Sequence, residues 1–300
     1  LRQISSDLRQ QLKLSYIACL KAKENITLTQ KILERRKQNL ELVRLRYEAG
    51  REHKGALLTA KANQAESLYD QHQSERDLEL SLLSLSRYLG RPRYLKIKIN
   101  GTLKSPSTPS LNPDFEDLAR KTPVWEQWLL AEESGRLGIL SEKAEYFPAV
   151  YAELSAQKKG ETENNTHQNS YAAMLSLSYT FFDSGTRKAK INKAMIKAEQ
   201  IEQNKFSALL TLQYSLKEKW SQFEAALEKN RVQIQYLEAM EERSQIAQAQ
   251  YSAGLITFDN WSIIEDDLVK AQKSVLEAKS STMIAETQWL YSRGVTLNEN

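Results

Sequence analysis

Glycine and proline fall so unevenly along this chain that they constrain its architecture more than any other feature. Residues 1–49, 56–89, 186–253 and 255–293 contain neither, whereas Pro92, Gly101, Pro106, Pro109, Pro113, Pro123, Gly135, Gly138, Pro148 and Gly160 crowd one middle stretch. These two residues interrupt helices most strongly, so the pattern predicts long helices flanking an irregular centre. As one helix, the run from Thr186 to Ala253 would reach about 100 Å at ~1.5 Å per residue. Along it Ile191, Ala194, Ala198, Ile201, Ala208, Leu212, Leu216, Trp220, Phe223, Leu227, Ile234 and Leu237 recur mostly at steps of three and four. That is the seam of a helix packed along another helix. Composition agrees: 27% charged residues and 8% aromatics, with a mean hydropathy of −0.58, describe something longer and more solvated than a compact globule. The 42 basic and 38 acidic residues leave a net charge of +4. The signs are interleaved, without the single-sign stripe that nucleic acid would require as a partner. Cys19 is the only cysteine, which excludes an internal disulfide and a cysteine-based zinc site.

The helices are also related to one another. Aligning Arg46–Gly50 (RYEAG) with Gln250–Gly254 (QYSAG) sets an offset of 204 residues, 254 − 50, that holds without a gap. Leu8 then meets Leu212, Leu12 meets Leu216, Tyr16 meets Trp220, Ala22 meets Ala226, Glu24 meets Glu228, Leu33 meets Leu237 and Leu42 meets Ile246. Beyond the turn, Gly90 meets Gly294. A chance match of two amphipathic helices would not be anchored at both ends, so the chain is expected to carry two copies of a helical hairpin, turning at Gly50 and Gly254. Cys19 aligns with Phe223, which makes it a packed helix position rather than a lipidation site.

Between the copies the period changes to two. Tyr171, Ala173, Leu175, Leu177, Tyr179 and Phe181 point one way, and Ser170, Ala172, Met174, Ser176, Ser178 and Thr180 the other. Val150, Ala152, Leu154 and Ala156 alternate in the same manner against Tyr151, Glu153, Ser155 and Gln157. Two strands follow, over Ala149–Gln157 and Ser170–Phe182, each with one apolar face. The connecting Gly160–Asn169 (GETENNTHQN) has no apolar side chain and reads as a loop in water. Strand length and the aromatic residues near the ends suit a transmembrane β-hairpin. A half-buried hairpin of a soluble domain has the same pattern, but here no other sheet exists in the chain for it to pack on.

Taken together, these residues resemble the TolC-like outer-membrane efflux proteins. The resemblance rests on Tyr47-Glu48-Ala49-Gly50 and Tyr251-Ser252-Ala253-Gly254, on Ala144–Val150 entering the first strand, and on Leu177–Arg187 (LSYTFFDSGTR) leaving the second. It rests also on Leu89-Gly90-Arg91-Pro92, Ile99–Leu103 and Lys270-Ala271-Gln272, in that order along the whole chain. The fold it implies is mainly α with a small β part: long coiled-coil hairpins forming a periplasmic tunnel, transmembrane β-barrel strands, two internal repeats and three subunits. It implies a helical hairpin over 1–90 with its tip near 50, an equatorial linker over 91–113, and a helix over 114–147 leading to the barrel. A transmembrane hairpin over 148–182 and a second helical hairpin over 183–300, with its tip near 254, complete that expectation. Leu1 would lie inside the helix after the family's first β-hairpin, so that hairpin and the helix before it fall outside these residues.

The function implied is that of a passive exit duct of a tripartite efflux or type I secretion system in the outer membrane of a Gram-negative bacterium. The implied partners are two further copies of the chain, a periplasmic adaptor (membrane fusion) protein, an inner-membrane transporter and outer-membrane lipid. Tyr47, Gly50, Tyr251 and Gly254 would mark the tips where the adaptor docks. Arg51, His53 and Lys54 make the first tip basic, and Asp259, Glu265, Asp266 and Asp267 make the second acidic. By resemblance such acids line a gate, although their spacing departs from the family's usual placement; the alternative is a solvated face that ion-pairs with Lys270. Tyr171, Leu175, Leu177, Tyr179 and Phe181 would face lipid. His53, His72 and His167 form no metal-spaced cluster, and no phosphate loop, nucleophile elbow or paired catalytic carboxylates occur. No cofactor, metal or catalytic residue is therefore expected. Trp125, Trp128 and Trp261 read as core or subunit packing. The rival reading is a soluble coiled-coil scaffold, which explains the helices and the charge but neither the repeated turn nor the alternating strand.

Overall fold

A computed structural model describes residues 2–91, 99–106, 113–161 and 166–294. In chain order the elements are α1 (Arg2–Glu48), α2 (Lys54–Tyr88), α3 (Phe115–Arg120), α4 (Pro123–Ala144), β1 (Ala149–Glu161), β2 (Thr166–Ser178), α5 (Thr186–Ala253) and α6 (Phe258–Ser292). The predicted loop's residues 162–165 and much of the linker over 91–113 lie outside the described residues. The chain forms two compact units, Leu1–Pro123 with Leu212–Asn300, and Val124–Thr211.

In the first unit, helices end where glycine permits a left-handed residue. Gly50, Gly90, Gly254 and Gly294 all have φ between 65° and 79°. After α1 and α5 the closing bonds are the same: Gly50 N donates to Tyr47 O and Arg51 N to Arg46 O, as Gly254 N does to Tyr251 O and Leu255 N to Gln250 O. This is the six-to-one, five-to-two closure in which two orphan carbonyls are satisfied by a residue that tolerates positive φ. Between these ends the helices pack by alternating steps. The buried positions of α1 include Thr29, Ile32, Arg36, Asn39 and Val43, and those of α6 include Trp261, Glu265, Leu268, Ala271, Val275 and Ala278. Steps of three and four keep one stripe facing its partner along the full length. Two apolar clusters form on that stripe, one of Val43, Ala56, Ala60, Ala247, Tyr251, Phe258 and Trp261, the other of Ile17, Leu20, Leu103 and Leu276. Cys19 is fully buried, and that burial pushes its thiol above the usual range.

The predicted seam of α5 holds at Leu216, Trp220, Phe223 and Leu227, which are buried, but Ile234 is 44% exposed and Asn230 is buried instead. Asn230 donates to Ser105 Oγ at 3.2 Å, on a segment fastened to α1 by Tyr16 OH to Asn100 O, 2.6 Å, and by Leu103 N to Glu24 Oε1, 2.7 Å. A polar contact with a crossing strand of chain thus occupies the position that periodicity assigns to an apolar side chain.

In the second unit α4 meets the first part of α5 at Gly135, where a Cβ would stand 3.1 Å from Ile201 Cδ1. Lys205 of α5 pairs with Glu132 and Lys190 with Glu145. Strands β1 and β2 pair antiparallel with Ala149 opposite Ser178 and Glu161 opposite Thr166. The ladder therefore runs further into the polar segment than predicted, since backbone bonds form whatever side chains they carry, and it stops earlier at the other end. The next partner of Tyr179 would be Pro148, which has no N–H to donate. Tyr179 and Phe181 consequently lie past the strand, with their rings edge to face at 4.9 Å. Asp183 accepts from Gly185 N and Arg187 N as α5 begins.

Candidate functional site

The two turns of the first unit are fastened together. Arg46, one turn before Gly50, donates through Nη1 to the carbonyls of Tyr251 at 2.7 Å and Ser252 at 3.3 Å. It thereby caps the last turn of α5, where the helix dipole favours a cation. Its guanidinium also lies 4.6 Å from the centre of the Tyr251 ring. The Tyr251 hydroxyl donates to Glu52 Oε2 at 2.9 Å, and its ring stacks on Trp261 with centroids 4.4 Å apart and planes at 11°. Burial first, then the bond to Glu52, push the Tyr251 hydroxyl well above its ordinary pKa. Nearby, His53 caps α2 by accepting from Ala56 N at 3.1 Å through Nδ1.

Of the four expected tip contacts, Gly50 and Gly254 are exposed and Tyr47 is 38% exposed, but Tyr251 is fully buried within the subunit. Its side chain is therefore not offered to another protein; it ties one turn to the other. Arg46 opens the repeated RYEAG segment and Glu52 follows its turn glycine, but nothing in the sequence pairs either of them with Tyr251.

The acidic residues separate in the same way. Asp259 is exposed. Asp267 faces Lys270 at 3.6 Å and Arg243 at 3.9 Å, and Asp266 pairs with Arg36. Glu265 is 2% exposed. Arg35 donates to it from Nε at 2.6 Å and from Nη2 at 2.8 Å, Asn39 Nδ2 donates at 2.9 Å, and Ser244 Oγ also bonds to it. Burial alone would raise this carboxyl; the bonds from Arg35, Ser244 and Asn39 outweigh it and hold the pKa below the usual range. Glu265 is thus the centre of a buried junction of α1, α5 and α6 rather than part of a solvated face. Glu265 falls on the buried three-and-four stripe of α6, which was the available signal.

In the second unit the strand register brings both apolar sets to one face. Val150 stands opposite Leu177, Ala152 opposite Leu175, Leu154 opposite Ala173 and Ala156 opposite Tyr171. These side chains have nothing over them: Val150 is 65% exposed, Leu154 86%, Tyr171 80%, Leu175 76% and Leu177 71%. Among the described residues no helix is long and apolar enough to cross a membrane, and no group of three or more His, Cys, Asp or Glu is placed to hold a metal ion.

Residues 129–291, more than half of the chain, match the model of a family described as outer membrane efflux protein. No curated protein matches the chain. Among solved structures, the open state of the MtrE outer membrane channel of Neisseria gonorrhoeae is similar, with 16% identity and a TM-score of 0.80 over 100% of this chain and 68% of MtrE. The outer membrane protein VceC of Vibrio cholerae has 15% identity and a TM-score of 0.76, covering 96% of this chain and 70% of VceC. CusC has 16% identity and a TM-score of 0.80, covering 97% of this chain and 69% of its own.

Proposed function

The chain belongs to the outer membrane efflux protein family, and from that premise we propose how its parts serve an exit duct for small molecules or proteins. The TolC-like members of this family are outer-membrane channels of tripartite pumps and work as transport ducts rather than as enzymes. On our reading three copies assemble, β1 and β2 of each enter one closed barrel, and the helices line a tunnel in the periplasm. The observation that carries this reading is the bare apolar face of the hairpin. Among the described residues, a two-stranded sheet with five large apolar side chains 65 to 86% exposed has neither a core of its own nor paired outer edges. Lipid suits the face, and only a closed barrel satisfies the edges within lipid.

The turns at Gly50 and Gly254 form the periplasmic end, where Tyr47, the turn glycines and the exposed Leu255 beside them would meet an adaptor. Asp259, with Asp266 and Asp267 when their partners release them, supplies negative charge to the gate. Glu265 holds α6 in place behind them. The identical closing bonds after α1 and α5, and the gapless offset of 204 residues, support a duplicated hairpin. They also support helical hairpins over 1–90 and 183–300; on our reading the chain between them supplies a linker over 91–113, the two helices α3 and α4 within 114–147 where a single helix was expected, and a membrane hairpin over 148–182. Nothing favours the soluble coiled-coil scaffold.

The test is to express the full reading frame, separate inner and outer membranes on a density gradient, and weigh the detergent-extracted particle by light scattering. A trimer in the outer membrane is expected. A soluble dimer would overturn the duct and restore the scaffold.

A further inference from the structure

The indole N–H of Trp261 is buried and has no hydrogen-bond partner in the protein, although Trp261 is 2% exposed. A buried donor left unmade is costly, so such a group calls for a partner. Trp261 lines a cavity of ≈ 10 Å³ between α1, α2 and α6, whose wall sets the polar side chains of Arg36, Asn39, Asn63 and Glu265 beside the apolar Ala60 and Phe258. That volume is about what one water molecule needs, and a water is retained where two to four polar groups can hold it. We propose that this cavity is a binding site for a single internal water, which accepts from Trp261 Nε1 and donates to the amide oxygens of Asn39 and Asn63.

The chemistry of the wall selects water over an ion. Trp261 and the Arg36 guanidinium present only donors, which repel a cation, while the Glu265 carboxylate repels an anion. A neutral molecule that both accepts and donates meets all of them. Asn39 gives its amide N–H to Glu265 at 2.9 Å, which fixes the orientation of the amide and leaves its oxygen to accept a further bond. With the water in place, Glu52, Tyr251, Trp261, the water, Asn39 and Glu265 form one continuous sequence of contacts. It joins the turn at Gly50 to the buried junction with Arg35. The inference does not depend on the duct reading, because every group in it belongs to one subunit.

The experiment is a crystal structure of the full-length protein at a resolution that resolves internal waters, together with a thermal double-mutant cycle on Trp261→Phe and Asn63→Leu. The expected density is one peak within hydrogen-bond distance of Trp261 Nε1 in every subunit, unchanged when rubidium or bromide replaces the salt. Each single variant is expected to lower the melting temperature, the leucine by displacing the water and the phenylalanine by removing its donor. The double variant should fall by clearly less than the sum, since with the donor gone the displaced water is no longer missed. An empty or collapsed cavity, an anomalous peak from either ion, or strictly additive shifts would overturn the proposal. Should the leucine variant fail to fold, the density alone decides.

Discussion

Tyr251 is held on three sides at once, by the Arg46 guanidinium over its ring, Trp261 stacked beneath and Glu52 at its hydroxyl. Tyr251→Phe keeps the stack and removes only the last contact, leaving a nearly buried carboxylate short of a donor. The expected cost is about 1 to 3 kcal/mol, read as a lower melting temperature in the detergent-extracted protein. Glu265 gives a pH test. Its folded-state pKa is depressed, so its contribution is complete above the ordinary carboxylate range of about 4.3 and is lost as pH falls through the lower folded value. The melting temperature of the native protein should therefore drop on acidification below about pH 4 more steeply than that of Glu265→Gln, which has no such proton to take up. A parallel fall in both proteins would remove Glu265 from the account. At this scale the sequence was least informative. Burial of Tyr251 depends on Phe258 and Trp261 folding back across the turn, and the partner of Glu265 lies 230 residues away at Arg35, beyond the reach of any local pattern.

Element boundaries were far more legible, because they depend on backbone chemistry that single residues announce. Glycine at positive φ ends α1, α2, α5 and α6, and the interval without glycine or proline from Thr186 to Ala253 is one helix of 68 residues. The same logic predicts a graded response at Gly254. Alanine there meets nothing closer than Arg46, at 3.8 Å, and should cost about 1 kcal/mol for its left-handed backbone. Proline removes the N–H that closes on Tyr251 O and cannot adopt φ of 79°, so Gly254→Pro should cost about 3 kcal/mol or more and impair coupling to an adaptor in a transport assay. Equal transport by both variants would dismiss the tip assignment. The strand ends were misjudged for a physical reason. Lys158 to Glu161 and Thr166 to Asn169 belong to the ladder although their sequence lacks the alternation of a strand, whereas Pro148 stops a ladder that the alternation of Tyr179 and Phe181 would continue. For the face itself, Leu175→Arg should cost about 2 to 4 kcal/mol of insertion stability. Ser176→Arg, one residue along and on the opposite face, should be tolerated; a similar loss in both would mean that lipid does not distinguish the faces.

At the scale of the whole molecule, composition and periodicity conveyed a long coiled-coil architecture with one isolated hairpin, and the interleaved charges left little room for other classes. Of the polar members of the packing stripe, Glu265 could be placed by its position on the stripe, whereas Arg36, Asn39 and Asn230 were hidden because periodicity assigns those positions to apolar side chains. The bonds of Glu265 to Arg35 and Asn39 of α1 and Ser244 of α5 hold α1, α5 and α6 in one register, a use of internal polarity known from coiled coils. The hairpin has a different consequence. Among the described residues each strand has one neighbour, so its outer backbone groups await partners from other strands, and an unpaired edge cannot enter lipid. If three copies share a barrel, no subunit is inserted alone, and a defect in one copy becomes a property of its companions. A variant with proline in the middle of β1, produced alongside an equal amount of the intact chain, would leave roughly one assembly in eight free of it. Its allele would then behave in a cell as dominant, suppressing efflux far below the half expected of a simple loss.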